Sequence, residues 1–194
     1  MKSPKIDVRI PYEPDGKLGW DYNRVMTETP HEWVLFIDHD VILSTNPHWY
    51  HICQETIKNH NPALATCYTN AHHKTGQQYN PILRAKETNS FQYHRAVAKE
   101  VWERYRYGIK SISKVSGFFM LISKTWWKSV QGFPAKGMFR EDWTFSSNIH
   151  RSGGKIVIMQ GLYVYHAKER TGKWIEGESV TLDYLGEKRN KNKK

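Results

Sequence analysis

One stretch of the chain combines residue types and spacing that imply chemistry. In Trp33-Val34-Leu35-Phe36-Ile37-Asp38-His39-Asp40, five apolar residues run straight into two carboxylates spaced by one residue. Loops beyond the carboxyl ends of buried α/β strands are where ligands bind. Two acids carried to such an edge face a steep desolvation problem. A divalent cation relieves it, because hard cations take carboxylate oxygens. The plainer alternative is a strand-end turn with two solvated acids. Further along, Glu141-Asp142 open a helix-like segment, and His166 closes a late strand-like run. A placed carboxylate can accept a proton from an attacking hydroxyl. Acids at a helix start also simply complement the helix dipole, and a lone histidine is usually structural, so only the ordered set carries weight.

Those residues need elements to hold them. Trp33 to Ile37 reads as a strand buried on both faces, the usual state of a central α/β strand. Ile6 to Ile10 predicts a first strand, and Leu18 to Glu28 a helix with Leu18, Tyr22, Val25 and Met26 on one side. Asn46-Pro47 predicts a helix start running to Asn61-Pro62. Ala63 to Tyr68 reads as a strand, 69–89 as a long polar loop, and Phe91 to Tyr107 as a helix. Ser113 to Ile122 predicts a buried strand with Gly117 inside it, and Ser123 caps a short helix reaching Val130. Glu141 to Arg151 reads as a helix, and Lys155–Met159 and Leu162–Tyr165 as two strands. Trp20, Trp33, Trp49 and Trp102 are expected in the core or on helix faces.

The 194 residues fit one domain with a real core. A hydrophobic content of 39% and a charged content of 25% exclude a disordered chain. No apolar run approaches the ~20 residues of a membrane helix, and the N-terminus has no signal-peptide pattern. Cys53 and Cys67 lack metal-ligand spacing, which favours a reducing, cytoplasmic setting. The net charge is +10, of which residues 187–194, with five basic side chains and one acid, supply +4. That end reads as a disordered basic tail following a domain over 1–186. The remaining charge suits an anionic substrate such as a nucleotide diphosphate and does not call for nucleic acid.

The ordered set resembles the GT-A nucleotide-sugar glycosyltransferases, and among them family 2-like enzymes. The resembling segments are Leu18–Arg24, Trp33–Asp40, Ser116-Gly117-Phe118-Phe119-Met120, Val130-Gln131-Gly132-Phe133, Arg140-Glu141-Asp142-Trp143 and Val164-Tyr165-His166. Together they cover roughly Ile6 to Gly172. The resemblance implies an α/β fold: a single Rossmann-like GT-A domain whose mixed, mostly parallel sheet is flanked by helices. Pro11-Tyr12 passes within a few residues to the Leu18–Arg24 segment, so the helix and strand that usually intervene are missing. This shortening is similar to compact glycosyltransferases of large viruses and phages.

The resemblance also implies roles. Asp40 and His166 become metal ligands, with Asp38 near the ribose or in the metal's outer shell. The mixed donor set favours Mn²⁺ over Mg²⁺. Pro11, Tyr12, Arg24, Asp38, His39, Gly117, Arg170 and Lys173 become contacts to the nucleotide-sugar donor, with a UDP-sugar favoured. Asp142 becomes the general base of an inverting transfer to a glycan hydroxyl, with Glu141 and Trp143 on the acceptor side. Two other classes compete. A metal-dependent nucleotidyltransferase or phosphohydrolase would also use Asp-x-Asp, but the chain has no G-x-x-x-x-G-K-[ST] loop and no third carboxylate close by. A basic nucleic-acid-binding module leaves Asp38, Asp40 and His166 unexplained.

Overall fold

The computed structural model describes residues 3–12, 17–70, 73–79, 90–134 and 140–167. Seven strands form one sheet: β1 (Ile6–Arg9), β2 (Trp33–Ile37), β3 (Val41–Ile42), β4 (Leu64–Thr69), β5 (Ile109–Ser111), β6 (Phe119–Ser123) and β7 (Ile156–His166). Their order is β1-β2-β6-β4-β7-β3, and β5 also pairs with β7. β1 and β2 are parallel, as are β4 and β7, while β6 runs antiparallel between β2 and β4. β1, β2, β4 and β7 therefore share one direction, which β3, β5 and β6 oppose. The expected α/β class, with a mixed, Rossmann-like sheet flanked by helices, is what the chain forms. Among the described residues, β1 is the outer strand of its edge.

Among the described residues five helices cover the sheet: α1 (Leu18–Glu28), α2 (Trp49–His60), α3 (Phe91–Tyr105), α4 (Lys124–Ser129) and α5 (Glu141–Arg151). The run in β2 is apolar throughout because both of its faces are covered. Trp33, Leu35 and Ile37 pack with Ile52, Cys53 and Ile57 of α2. Val34 and Phe36 pack with Val25 and Met26 of α1 and with Phe145 and Ile149 of α5. Tyr68, Val97, Val101 and Tyr163 form a third cluster under α3. Cys53 and Cys67 are buried free thiols.

Several predicted elements move. α2 starts at Trp49, not at Asn46-Pro47, because Asn46 closes a short 3₁₀ turn over Leu43–Thr45. The Asn46 side chain accepts from His48 N–H at 2.9 Å instead of capping the helix. The buried strand predicted from Ser113 begins only at Phe119, which leaves Gly117 in the preceding turn. The two late strands are one, β7. Its register against β4 jumps from Cys67↔Met159 to Tyr68↔Tyr163, so the run reads as interrupted although the strand continues. Gly161 lies in that bulge, where a Cβ would sit 1.7 Å from the Arg106 carbonyl oxygen. α3 ends at Tyr105 rather than Tyr107. Trp20 is 59% exposed and belongs to no core, whereas Trp33 is buried and Trp49 and Trp102 are half-buried against one.

Candidate functional site

The apolar drive that buries β2 carries Asp38 and Asp40 to its carboxyl end. There the chain turns at once, with Val41 N–H donating to the Asp38 carbonyl at 3.1 Å. The two-residue strand β3 then pairs with the end of β7, setting Val41 opposite His166. Ala167 N–H donates to the Asp40 carbonyl at 3.1 Å, so the turn and the end of β7 are tied on both sides. This ladder brings together three residues far apart in sequence. His166 Nε2 lies 3.1 Å from Asp40 Oδ1 and 3.6 Å from Asp38 Oδ2. One ligand atom from each lies within 4.8 Å of the others.

His166 is fully buried, Asp40 is 13% exposed at its side chain and Asp38 27%, so the cluster opens to solvent on the carboxylate side. Burial pushes the Asp40 carboxyl up, but the hydrogen bond and charge of His166, with His39 adding, hold it below the usual carboxylate range. Two carboxylates and one imidazole that converge this closely could hold a metal ion, with the carboxylate side open to solvent. Exposed His39 contributes charge from the same turn.

Phe118 joins this cluster to the acid pair. Its carbonyl accepts from Asp38 N–H at 3.0 Å, and its ring stacks on His166 at 5.3 Å between centroids. The preceding N–H, that of Gly117, donates to Asp142 Oδ2 at 2.7 Å, and Trp143 N–H donates to Asp142 Oδ1 at 2.7 Å. Asp142 is thus oriented at the start of α5 by one backbone donor on each oxygen. Tyr22 feels the charge of several acids. Its buried phenol is pushed up by burial and then by the charges of Asp38, Asp142, Glu141 and Asp21. Glu141 is 8% exposed, and its Oε1 has no hydrogen-bond partner among the described residues.

The other expected residues divide. Arg24 is engaged by Asp21 and by Glu28, the latter at 3.1 Å. Asp21 in turn accepts from Tyr12 N–H at 2.8 Å, so Arg24 steadies the Pro11-Tyr12 strand end through Asp21. The Tyr12 side chain is 77% exposed. Arg170 and Lys173, like the basic tail, lie outside the described residues.

Three positioning residues went unread in the sequence. Asn70 Oδ1 accepts from His166 N–H at 2.9 Å, and its amide donates to the His166 carbonyl at 3.0 Å. Gln77 Oε1 accepts from Ser116 N–H at 2.6 Å, and its amide donates to the Ser116 carbonyl at 3.4 Å and to Thr66 Oγ1. Asn23 makes the same pair of bonds with Phe133, at 2.8 and 2.9 Å. The available signal was an Asn directly after the buried strand β4, in a segment that polarity alone marks as loop. Compared with known proteins, the chain matches no family model, and no curated protein matches it.

Proposed function

We propose that this chain is a metal-dependent glycosyltransferase that moves a sugar from a nucleotide diphosphate, UDP favoured, to an acceptor hydroxyl with inversion. One observation carries the reading: the Asp38–Asp40–His166 cluster and the Asp142 carboxylate are tied to adjacent residues, Phe118 and Gly117. Those shared anchors support reading the cluster as a cation site and Asp142 as a nearby base. Transfer needs both, one at the leaving group and one at the nucleophile.

Asp40 and His166 would hold the ion, with Asp38 completing the set or meeting the ribose. A divalent ion there neutralises charge growing on the departing diphosphate. The acceptor oxygen attacks the anomeric carbon as the bond from that carbon to the phosphate oxygen breaks. The leaving diphosphate takes the electron pair, and Asp142 takes the hydroxyl proton. A single in-line displacement inverts the anomeric centre. The turn at Asp38–Asp40 and the Pro11-Tyr12 strand end would line the donor side, and Glu141 and Trp143 the acceptor side.

The test is direct. Asp142→Asn removes the base at nearly unchanged volume, and its one amide oxygen can accept from only one of the two backbone N–H groups. It should lower transfer by about 10²–10⁴-fold and leave Mn²⁺-dependent UDP binding unchanged in titration calorimetry. Wild-type protein that binds no nucleoside diphosphate with Mn²⁺, or an Asp142→Asn variant with full activity, would refute the reading. A nucleotidyltransferase or phosphohydrolase would instead cleave the nucleotide's own phosphate bonds.

A further inference from the structure

Trp143 is where the acid pair meets a charged groove. Lys114 Nζ lies 5.7 Å from the centre of its ring and Arg140 Cζ 5.9 Å, so two cations flank one indole. Along α5, Trp143, Ser147 and Arg151 recur at four-residue spacing and form one stripe. With His150 and Thr144 they line a groove of about 550 Å³ with no acidic residue in its lining among the described residues.

On other helices some cations are paired: Arg24 with Asp21 and Glu28, Lys58 with Glu55, and Lys99 with Glu103. Among the described residues, Lys114, Arg140 and Arg151 enter no salt bridge. Cations gathered without a counter-charge repel one another and attract an anion. The groove also begins beside the reacting centre, because the Trp143 N–H holds Asp142.

We propose that this groove is the acceptor subsite and takes an anionic saccharide. The sugar would lie on the Trp143 side with its phosphate or carboxylate held by Lys114, Arg140 and Arg151. The assignment rests on the transfer reading above and narrows its acceptor to an oxyanion-bearing sugar. The flat indole suits the C–H face of a sugar ring. Arginine forks and a lysine ammonium suit an oxyanion.

Calorimetry on the full chain without nucleotide tests it, using glucose 6-phosphate, glucuronate and glucose as probes. At least one of the two anionic sugars should bind about tenfold or more tighter than glucose, as charge-assisted hydrogen bonds imply. The one preferred identifies the oxyanion. The double variant Lys114→Ala/Arg151→Ala, changed at two exposed positions, should lose that preference and keep Mn²⁺-dependent UDP binding. Equal affinity for all three probes, or a preference that survives the double substitution, overturns the assignment. A single-stranded oligonucleotide that binds at these residues more tightly than either sugar also overturns it and makes the groove a nucleic-acid track. If UDP binds with Mn²⁺ but the sugar preference is missing, the groove assignment fails alone. If UDP does not bind, the transfer reading fails and the acceptor assignment goes with it.

Discussion

Asp38 and Asp40 carry the same side chain on one turn, yet their surroundings differ. Asp40 is the more buried and the nearer to His166, at 3.1 Å against 3.6 Å. Burial works against its charge, and the imidazole, aided by His39, more than offsets that. A carboxyl whose folded pKa lies below its unfolded value, about 3.9 for Asp, stabilises the fold above that value. The contribution is lost as pH falls through the lowered folded value. In chelator-treated protein, Asp40→Asn should therefore destabilise near neutral pH, and its cost should shrink as the pH falls below about 4. Urea titrations of both proteins across that range measure the difference. A cost that stays constant into acid would show that His166 does not support the Asp40 charge.

Among the elements, the three carboxamides do work usually done by a neighbouring strand. A primary amide offers one acceptor oxygen and two N–H donors, so it can complete both backbone groups of a single residue. Asn70 does this for His166, Gln77 for Ser116 and Asn23 for Phe133. Asn70→Ala leaves the buried N–H and C=O of His166 without those bonds. It should cost about 1–3 kcal/mol of stability and weaken Mn²⁺ binding by about 10–100-fold. Gln77→Ala should cost a similar amount and leave Mn²⁺ affinity near wild type, since it holds the Asp142 side of the site. Melting curves and Mn²⁺ titrations on both variants decide this, and equal metal affinities would remove the positioning role of Asn70. The same elements explain what the sequence could reveal. β2 and β6 announce themselves because burial on both faces favours apolar runs, and β4 shows the same pattern interrupted by Thr66. β3 and β5 span two and three residues, too short to show a period. The bulge at Gly161 splits β7 in the pattern but not in space. Asp38, Asp40, Asp142 and His166 were legible as an order of residue types. The convergence of Asp38 and Asp40 on His166 depends on the β3–β7 ladder, and Asp142 is held through Gly117, contacts that no local pattern encodes.

For the whole molecule, the Asp38–Asp40–His166 cluster ties the turn after β2 to the far end of β7, across most of the described chain. No such convergence survives unfolding, because Asp38 and Asp40 meet His166 only through the sheet. An ion that binds the native cluster and not the unfolded chain must stabilise the fold by mass action. At a free Mn²⁺ concentration about a hundred times its dissociation constant, the gain is about 2.7 kcal/mol. A domain of this size shifts its melting temperature by roughly 2–4 °C per kcal/mol, so saturating Mn²⁺ should raise it by roughly 5–10 °C. Asp40→Asn and His166→Ala should each abolish most of the shift. Asp142→Asn should preserve it, because that carboxylate is held by Gly117 and Trp143 outside the ligand set. Thermal scans of the four proteins with Mn²⁺ and with chelator give the comparison. A wild-type melting temperature indifferent to Mn²⁺ would leave Asp38, Asp40 and His166 as an ordinary ion-paired cluster. A shift that persists in both ligand variants would place the ion elsewhere in the molecule.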